Sequence, residues 1–334
     1  MESYTADFFR KEHEMVLQSA RQVVPIIIRL LKPQHVIDVG CGTGVWLSVF
    51  GEHGVEDFVG IDGAHVDAAM LKIPRERFLT FDLSQPFDLN REFDLAVSLE
   101  VAEHLPASSA SGFVESLTKL APVVLFSAAI PFQGGVNHIN EQWPEYWVKL
   151  FAGRGYTVLD CIRRRIWDNE HVAYYYAQNT LIFCRRDVLQ NNPVLRAEQQ
   201  QGVAAPLSMV HPKKLLELME WQRRLHAAAA DLRAAIAPGE KLVLVDEEQI
   251  RGVIAAGYRA LPFLEHDGQY WGRPADDRTA IEELERMRND GARFIAFAWP
   301  AFWWLGHYAE FHRHLKQRYR LVLENERFVV FDLS

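Results

Sequence analysis

A glycine turn directly after a short apolar run is the feature that most constrains the fold of this chain. Residues 36–39 are typical of a buried strand, and Gly40, Gly42 and Gly44 follow at alternate positions. Glycine adopts positive φ angles and leaves room for a ligand against the backbone. In open α/β sheets, nucleotides bind at such turns, beyond the carboxyl ends of the strands. The turn therefore predicts an α/β domain with a nucleotide site.

Apolar strands and helices alternate along the first half of the chain, which predicts a mostly parallel sheet. The last two predicted strands have no evident helix between them, so we expect an antiparallel hairpin at one edge. Phe8 and Phe9 are assigned to the apolar face of the first helix, and Ser108 or Ser109 to the N-cap of the third. Strands are predicted at 36–39, 58–61, 78–81, 93–99, 123–126, 156–161 and 179–184, and helices at 4–31, 45–50 and 108–120.

Composition shifts near residue 191 and again after Pro238-Gly239. We predict an α/β domain at 1–190, a linker with a long helix at 191–238, and a smaller C-terminal α/β domain at 239–334. Polar turn residues occupy the linker up to Pro206, and the long helix covers 213–235. In the last segment we predict strands at 241–245 and 294–297, a helix at 280–289, and a hairpin of 321–323 with 328–331.

The composition is that of a globular protein, with 49% apolar residues and a net charge of -8. Because phosphate binding needs a basic surface, this charge disfavours nucleic acid as a partner. No apolar run reaches the roughly 20 residues that span a bilayer. The N-terminus lacks the pattern of a signal peptide, and three cysteines make no disulfide framework. We therefore expect a cytoplasmic protein without a membrane span.

Two other nucleotide motifs compete for the glycine turn. A phosphate-binding P-loop requires a lysine after its last glycine, where this chain has Val45. A dinucleotide fingerprint requires a third glycine at the position of Val45 or Leu47, which leaves an NAD enzyme as a minor alternative. The pattern that remains is Asp-x-Gly-x-Gly-x-Gly, which begins at Asp38.

This remaining pattern resembles the first motif of class I S-adenosyl-L-methionine-dependent methyltransferases. The resemblance continues at the ends of the next strands, and it implies a Rossmann-like sheet and S-adenosyl-L-methionine as cofactor. It implies that Asp62 binds the ribose hydroxyls, that Asp82 and the Leu83 backbone bind adenine, and that Asp38 orients the glycine turn. The cofactor-binding residues so predicted are Asp38, Gly40, Cys41, Gly42, Gly44, Asp62, Gly63, Asp82, Leu83, Leu99 and Glu100.

The segment 98–105, Ser-Leu-Glu-Val-Ala-Glu-His-Leu, resembles the fourth motif of small-molecule methyltransferases such as those of ubiquinone biosynthesis. The N-terminal half also looks like bacterial methyltransferases associated with surface-polysaccharide biosynthesis. The segment from Gly291 onward resembles C-terminal domains of bacterial glycan-assembly proteins. These resemblances imply a sugar or glycan precursor as the methyl acceptor.

A polar loop at 127–143 follows the fifth strand at the cofactor edge of the sheet. Methyl transfer is a direct displacement, and a hydroxyl acceptor needs a base as the new bond forms. We nominate His138 as that base, the alternative being that it only anchors the loop. Asn140, Glu141 and Gln142 are candidates either to orient His138 or to hold the acceptor. His104 is the second choice. Because adjacent helical residues diverge by about 100°, Glu103 and His104 are not expected to face one atom.

We expect O-methylation of the sugar or glycan precursor. The alternatives are N-methylation of a small amine or amino sugar, and a non-catalytic cofactor-binding scaffold in glycan assembly. We find no carboxylate cluster in the loops and no His/Cys set at zinc spacing, so we expect a metal-independent enzyme. Residues 163–165, three arginines, are interpreted as a solvated edge strand, with a phosphate or sugar clamp as the alternative. Trp299, Trp303 and Trp304 are interpreted as core or a docking face, with a carbohydrate-binding surface as the alternative.

Overall fold

The computed structural model describes residues 6–201 and 206–334, which divide into two compact units at residue 215. The first unit holds residues 6–215 and the second holds residues 216–334. Tyr4, Thr5 and linker residues 202–205 lie outside the described residues, and so do the side chains predicted for Phe8 and Phe9. The domain limits given above stay a prediction.

The first unit is built on one sheet with the strand order β3-β2-β1-β4-β5-β7-β6. Within the described residues its strands pair in parallel, except that β7 is antiparallel to both β5 and β6. This is the mostly parallel, Rossmann-like sheet with an antiparallel edge that the sequence predicts. The strands are β1 His35–Val39, β2 Asp57–Asp62, β3 Phe78–Thr80, β4 Leu95–Leu99, β5 Val123–Ser127, β6 Tyr156–Leu159 and β7 Leu181–Arg185.

Helices cover both faces of this sheet, because its central strands are apolar on both sides. One apolar cluster packs α1 and α2 on one face, and a second packs α3 and α4 on the other. The helices are α1 Ala6–Leu31, α2 Val45–Glu52, α3 Ala110–Leu120, α4 Pro144–Gly153, α5 Arg163–Ile166, α6 Tyr174–Asn179, α7 Arg186–Asn191, α8 Pro193–Gln201 and α9 Pro212–Ala235, the last continuing into the second unit.

Two local predictions are wrong. The connection between β6 and β7 holds two short helices, α5 and α6, rather than none. The linker is helical up to Gln201, within α8. Ser109 occupies the N-cap position of α3, as predicted, but its hydroxyl donates to the Pro106 carbonyl (2.8 Å) instead of accepting a backbone amide of the helix.

The three arginines at 163–165 lie in helix α5 and not on an edge strand. Arg163 is fully buried, pairs with Asp160 and donates to the Leu207 carbonyl at 2.7 Å. Arg164 and Arg165 both pair with Glu198 of α8. Their charges are therefore satisfied within the protein, and a clamp for a phosphate has no support here.

The second unit has its own sheet, in the order β13-β14-β12-β8-β9, with β8, β9 and β12 parallel and β14 antiparallel to its neighbours. Trp304 is buried in its core, as predicted. The strands are β8 Lys241–Val245, β9 Arg259–Pro262, β10 Glu265–His266, β11 Gln269–Tyr270, β12 Phe294–Ala298, β13 Arg320–Glu324 and β14 Phe328–Asp332, and the helices are α10 Arg251–Ile254, α11 Asp277–Asn289, α12 Trp304–His307 and α13 Ala309–Arg318.

Within the described ranges, no helix combines the length and apolar character that crossing a bilayer requires.

Candidate functional site

A cavity of about 520 Å³ opens beyond the carboxyl ends of β1, β2 and β4. It lies where the chain leaves β1 for one side of the sheet and β4 for the other, the usual ligand position in such sheets. Among the predicted site residues, those that line the cavity are Gly40, Gly42, Asp62, Gly63, Asp82, Leu83, Glu100 and His104. Those outside its lining are Asp38, Cys41, Gly44, Leu99, His138 and Glu141.

The glycine turn has the backbone geometry that its sequence predicts. Gly40, Gly42 and Gly44 have φ angles of 82°, 54° and 82°. The Gly40 amide donates to the Ile61 carbonyl at 2.8 Å, which ties the turn to β2. A Cβ at Gly40 would lie 2.4 Å from Val101 Cγ2, so a side chain does not fit there. The turn therefore presents bare backbone to the cavity.

Asp62 is a fixed carboxylate at the end of β2. Its Oδ2 accepts the Gly42 amide and its Oδ1 accepts the Gly63 amide, both at 2.6 Å. The residue is 7% exposed and lines the cavity. Because two backbone groups hold it, the carboxylate keeps its orientation and can accept further hydrogen bonds from ligand hydroxyls. This geometry agrees with the ribose-binding role that the resemblance implies.

Asp82 and Asp38, two further acidic residues predicted to bind the cofactor, differ in their hydrogen-bond partners. Asp82 Oδ1 accepts from the amide and hydroxyl of Ser84 (3.0 and 2.6 Å), which closes its turn, and Leu83 is buried beside it. Asp38 is 2% exposed, and its Oδ2 has no hydrogen-bond partner among the described residues. Burial, and then the charge of Asp62, raise the pKa of Asp38.

Glu100 and Glu103 follow β4 and have opposite environments. Glu100 (φ 54°) accepts from the side-chain amides of Gln133 at 2.7 Å and Asn179 at 3.1 Å. Glu103, in the single 3₁₀ turn Ala102–His104, is fully buried, and neither carboxylate oxygen has a partner among the described residues. Burial, and then the charge of Glu100, raise the pKa of Glu103 to about 9. An unpartnered buried carboxylate is rare and calls for a functional explanation.

The loop at 127–143 folds back onto this turn. The Glu103 carbonyl accepts the amides of Ile139 (2.9 Å) and Asn140 (3.0 Å). This anchor places the ring of His138 edge-on to His104, with centroids 4.8 Å apart. Burial, and then His138, lower the pKa of His104.

The side chains of His138 and Glu141 are in contact. The Nδ1 atom of His138 lies 3.1 Å from Glu141 Oε1, and that carboxylate also accepts the amides of Phe132 and Gly134, each at 2.7 Å. Ligand atoms of His138, His104 and Glu103 all lie within 4.8 Å of one another. The expectation that Glu103 and His104 cannot face one atom is therefore wrong, because they sit in a short 3₁₀ turn rather than a regular helix.

The sequence did not predict five residues of the cavity lining, which are His65, Phe81, Val101, Leu105 and Asn137, and it did not predict Glu103, which precedes the lining residue His104. His65 lines the cavity and its Nε2 lies 3.6 Å from Asp62 Oδ1. Val101 packs against Gly40 and shapes the turn. Glu103 was passed over, although an acidic residue in an otherwise apolar run after a buried strand was a signal that could have identified it.

The cavity fits a nucleoside cofactor on its own observations. Its volume lies within the range of about 300–1,000 Å³ typical of small-molecule sites. It combines a backbone cradle that a Cβ would fill with the rigid Asp62 carboxylate. A sheet of this order with its site at this edge defines the Rossmann-like class I methyltransferase fold.

Residues 14–163 match the family model described as a methyltransferase domain. These residues therefore form a methyltransferase domain whose cofactor is S-adenosyl-L-methionine, and the alternative of an NAD enzyme is set aside. When bound, the cofactor supplies an electrophilic methyl group on a positively charged sulfur. No curated protein sequence matches the chain.

Solved methyltransferase structures resemble the first half of the chain at low identity. The methyltransferase domain of bacterial CtHen1-C is 21% identical, with 50% of this chain and 97% of that chain covered and a TM-score of 0.39. The sugar N-methyltransferase KedS8 from Streptoalloteichus sp. is 16% identical, with 54% and 91% covered and a TM-score of 0.43. Magnesium protoporphyrin IX methyltransferase from Synechocystis, with bound SAH, is 17% identical, with 52% and 85% covered and a TM-score of 0.39. Values this low carry no information about the acceptor of this chain, and the surface-polysaccharide association stays a prediction.

Proposed function

We propose that this methyltransferase transfers the methyl group to a hydroxyl oxygen of a sugar or glycan precursor. The observation that carries the proposal is the pairing of His138 with Glu141 beside Glu103 and His104, next to the cofactor cavity. In the reaction, the sulfur–carbon bond breaks with its electrons going to sulfur, and an oxygen–carbon bond forms. The hydroxyl proton must leave, so groups able to promote its loss are needed at this place.

The orientation of His138 suits that task. Glu141 engages Nδ1, so Nε2 is the nitrogen available to the cluster and to an acceptor. A carboxylate partner at one ring nitrogen fixes the tautomer and the orientation of the ring. A neutral amine acceptor already carries a free electron pair and would need no such arrangement. The geometry therefore favours O-methylation over N-methylation.

The loop and the overall charge support an uncharged, sugar-like acceptor. Phe132 is 80% exposed and Trp143 is 40% exposed in the loop that carries His138. Such exposed aromatic faces suit the apolar face of a sugar ring. The net charge of -8 disfavours a polyanionic acceptor such as nucleic acid.

A paired-acceptor assay tests the proposal. The full chain is incubated with S-adenosyl-L-methionine and either a methyl glycoside or the matching amino sugar, and release of S-adenosylhomocysteine is measured. We expect turnover with the glycoside, and the His138→Asn variant should lower kcat by about 10²–10⁴-fold. Turnover with the amino sugar alone would establish N-methylation, and no turnover with any acceptor would favour a scaffold. Unchanged kcat in the variant would contradict the role of His138.

A further inference from the structure

We propose that Glu103, His104 and His138 bind one divalent transition-metal ion, which holds the acceptor hydroxyl beside the cofactor cavity. The binding site stands on the geometry alone, and only its role rests on the proposed function. The sequence patterns predict a metal-independent enzyme, because these residues come from two segments 34 positions apart, from His104 to His138. The fold brings them together.

The first argument is distance. One ligand atom from each of the three residues lies within 4.8 Å of the others. Nitrogen and oxygen ligands lie about 2.0–2.2 Å from such an ion, so two ligands of one ion are separated by at most about 4.4 Å. The side chains therefore need only a small rotation to share an ion.

The second argument is the absence of hydrogen-bond partners at the buried carboxyl group of Glu103 among the described residues. Its carboxylate is fully buried and has no partner at either oxygen among the described residues. Buried carboxylates are paired with cations, hydrogen-bonded or bound to metals, because desolvation is otherwise too costly. In contrast, the buried carboxylate of Asp62 receives two backbone amides. A bound cation supplies the partner that Glu103 lacks.

The third argument is the support behind His138. A histidine that binds a metal through one nitrogen usually donates the other N–H to a carboxylate. Glu141 is that carboxylate, and backbone amides of Phe132 and Gly134 hold it in turn. A Cβ at Gly135 would lie 2.2 Å from His138 Nε2, so only glycine lets the ring take this position.

The donor set selects the class of metal. Two imidazoles with one carboxylate suit Mn²⁺, Fe²⁺, Co²⁺ or Zn²⁺, whereas Mg²⁺ and Ca²⁺ prefer sites made of oxygen. Three protein ligands leave coordination positions open for an acceptor. His104 also lines the cofactor cavity, so an ion at this cluster is adjacent to the cofactor. A divalent ion lowers the pKa of a hydroxyl that it binds, which promotes loss of its proton. With His138 Nε2 bound to the ion, the ion rather than the free imidazole would promote loss of the hydroxyl proton.

Metal binding is measured directly on the full chain after treatment with a chelator. The chain is titrated with Mn²⁺, and binding is monitored by the loss of the electron paramagnetic resonance signal of the free ion. The titration should show one site per chain. Removing a supporting carboxylate, in Glu141→Gln, should weaken binding by roughly 10–100-fold. Glu103→Gln and His138→Ala should weaken it further than that. Retained binding of S-adenosylhomocysteine shows that each variant is folded.

The matched control is the pair His314 and Glu285 in the second unit, whose Nε2 and Oε1 atoms are 3.1 Å apart. His314→Ala removes a similar histidine–carboxylate contact and should leave Mn²⁺ binding unchanged. The absence of one-to-one binding of Mn²⁺, Co²⁺ and Zn²⁺, or unchanged binding in Glu103→Gln, would overturn the site. Tighter binding of Mg²⁺ than of Mn²⁺ would overturn the choice of metal class.

The two proposals fail in different ways. Full turnover of a glycoside in the presence of chelator, with no metal bound, would overturn the metal site and leave O-methylation intact. Stoichiometric metal binding with turnover of amines alone would overturn O-methylation and leave the metal site intact.

Discussion

Each unit of the protein has a buried acidic residue after a parallel strand, but the two residues differ in whether the described residues supply hydrogen bonds to them. In the second unit, Asp246 follows strand β8 and accepts the amides of Glu248, Ile250 and Arg251 at 3.2, 2.9 and 2.6 Å. In the first unit, Glu103 follows the central strand β4 and has no partner among the described residues.

The difference separates a structural carboxylate from one that is available to a ligand. A carboxylate has about four acceptor positions. Asp246 receives three backbone amides, which close its turn and leave little capacity for another partner, whereas Asp62 receives two and keeps capacity for ligand hydroxyls. A buried carboxylate without partners raises the energy of the folded state until a ligand joins it. Both units thus have parallel strands with acidic residues at their carboxyl ends, and the surrounding hydrogen bonds distinguish the one with a candidate active site.

The largest expected effect is that the Asp62→Ala substitution weakens cofactor binding. Loss of two charge-assisted hydrogen bonds to ribose hydroxyls should weaken S-adenosylhomocysteine binding by about 100–1,000-fold. Isothermal titration calorimetry measures this affinity. In the second unit, Asp276 accepts the Thr279 amide at the start of α11, and Asp276→Ala should leave the affinity unchanged. Equal affinities for wild type and Asp62→Ala would contradict the cofactor site.

Next in size is the effect of adding one methyl group at Gly40. Gly40 and Gly239 have similar positive φ angles of 82° and 87°, but a Cβ meets Val101 only at Gly40. Gly239→Ala should therefore cost about 1–2 kcal/mol of stability from backbone strain alone. Gly40→Ala adds about 1–3 kcal/mol of overpacking and should also abolish cofactor binding. Urea unfolding of the full chain, monitored by hydrogen exchange in each unit, measures the loss of stability in each variant. Equal losses in Gly40→Ala and Gly239→Ala would show that Val101 moves to accommodate the new methyl group.

A third prediction compares the two acidic positions directly. Asp246→Asn replaces an acceptor oxygen with an NH₂ group that faces backbone amides, so the second unit should lose about 1–3 kcal/mol. Glu103→Gln removes a carboxylate without partners, so the metal-free first unit should lose no stability. Hydrogen exchange of β8 and β4 measures each local stability. Destabilisation by Glu103→Gln would mean that Glu103 has a structural partner after all.

The smallest effect is a pH dependence of opposite sign in the two units. The pKa of Asp38 is raised by burial, so the native state binds its proton more tightly than the unfolded chain does. Its contribution to stability is present below the ordinary pKa of about 4 and is lost as pH rises towards the native pKa. Burial acts to raise the pKa of Asp332, but hydrogen bonds from Ser334 and Arg320 stabilise the charged carboxylate more strongly, so the pKa of Asp332 is lowered overall. That contribution is present above about pH 4 and is lost as pH falls towards the native pKa.

Asp38→Asn should therefore remove a decline in stability above about pH 4, and Asp332→Asn should remove a rise in stability with pH in the acid range. Urea unfolding of the full chain, repeated from about pH 3 to about pH 8, measures the free energy of unfolding of each variant. This interval includes the pH range in which carboxyl groups ordinarily titrate. Identical pH profiles for wild type and Asp38→Asn would show that Asp38 has a partner in solution that lowers its pKa.

The sequence by itself determined the sheet and the cofactor edge, because both depend on neighbouring residues. The apolar run 36–39 forms a buried strand, and Gly40, Gly42 and Gly44 allow the turn through their φ angles alone. Asp62 follows its strand directly, so its place at the same edge could be predicted from the parallel order of the strands. Periodicity and turn chemistry act over a few residues, and they can be predicted without knowing what packs against them.

Only the tertiary structure decided which distant side chains meet. His138 reaches His104 and Glu103 because the loop amides of Ile139 and Asn140 bind the Glu103 carbonyl, a contact that no local pattern encodes. The burial that leaves Glu103 without partners is likewise a property of the whole packed unit. Long-range contacts depend on how the whole chain folds and excludes water. The grouping of Glu103 with His104 and His138 could therefore be recognised only in the folded structure.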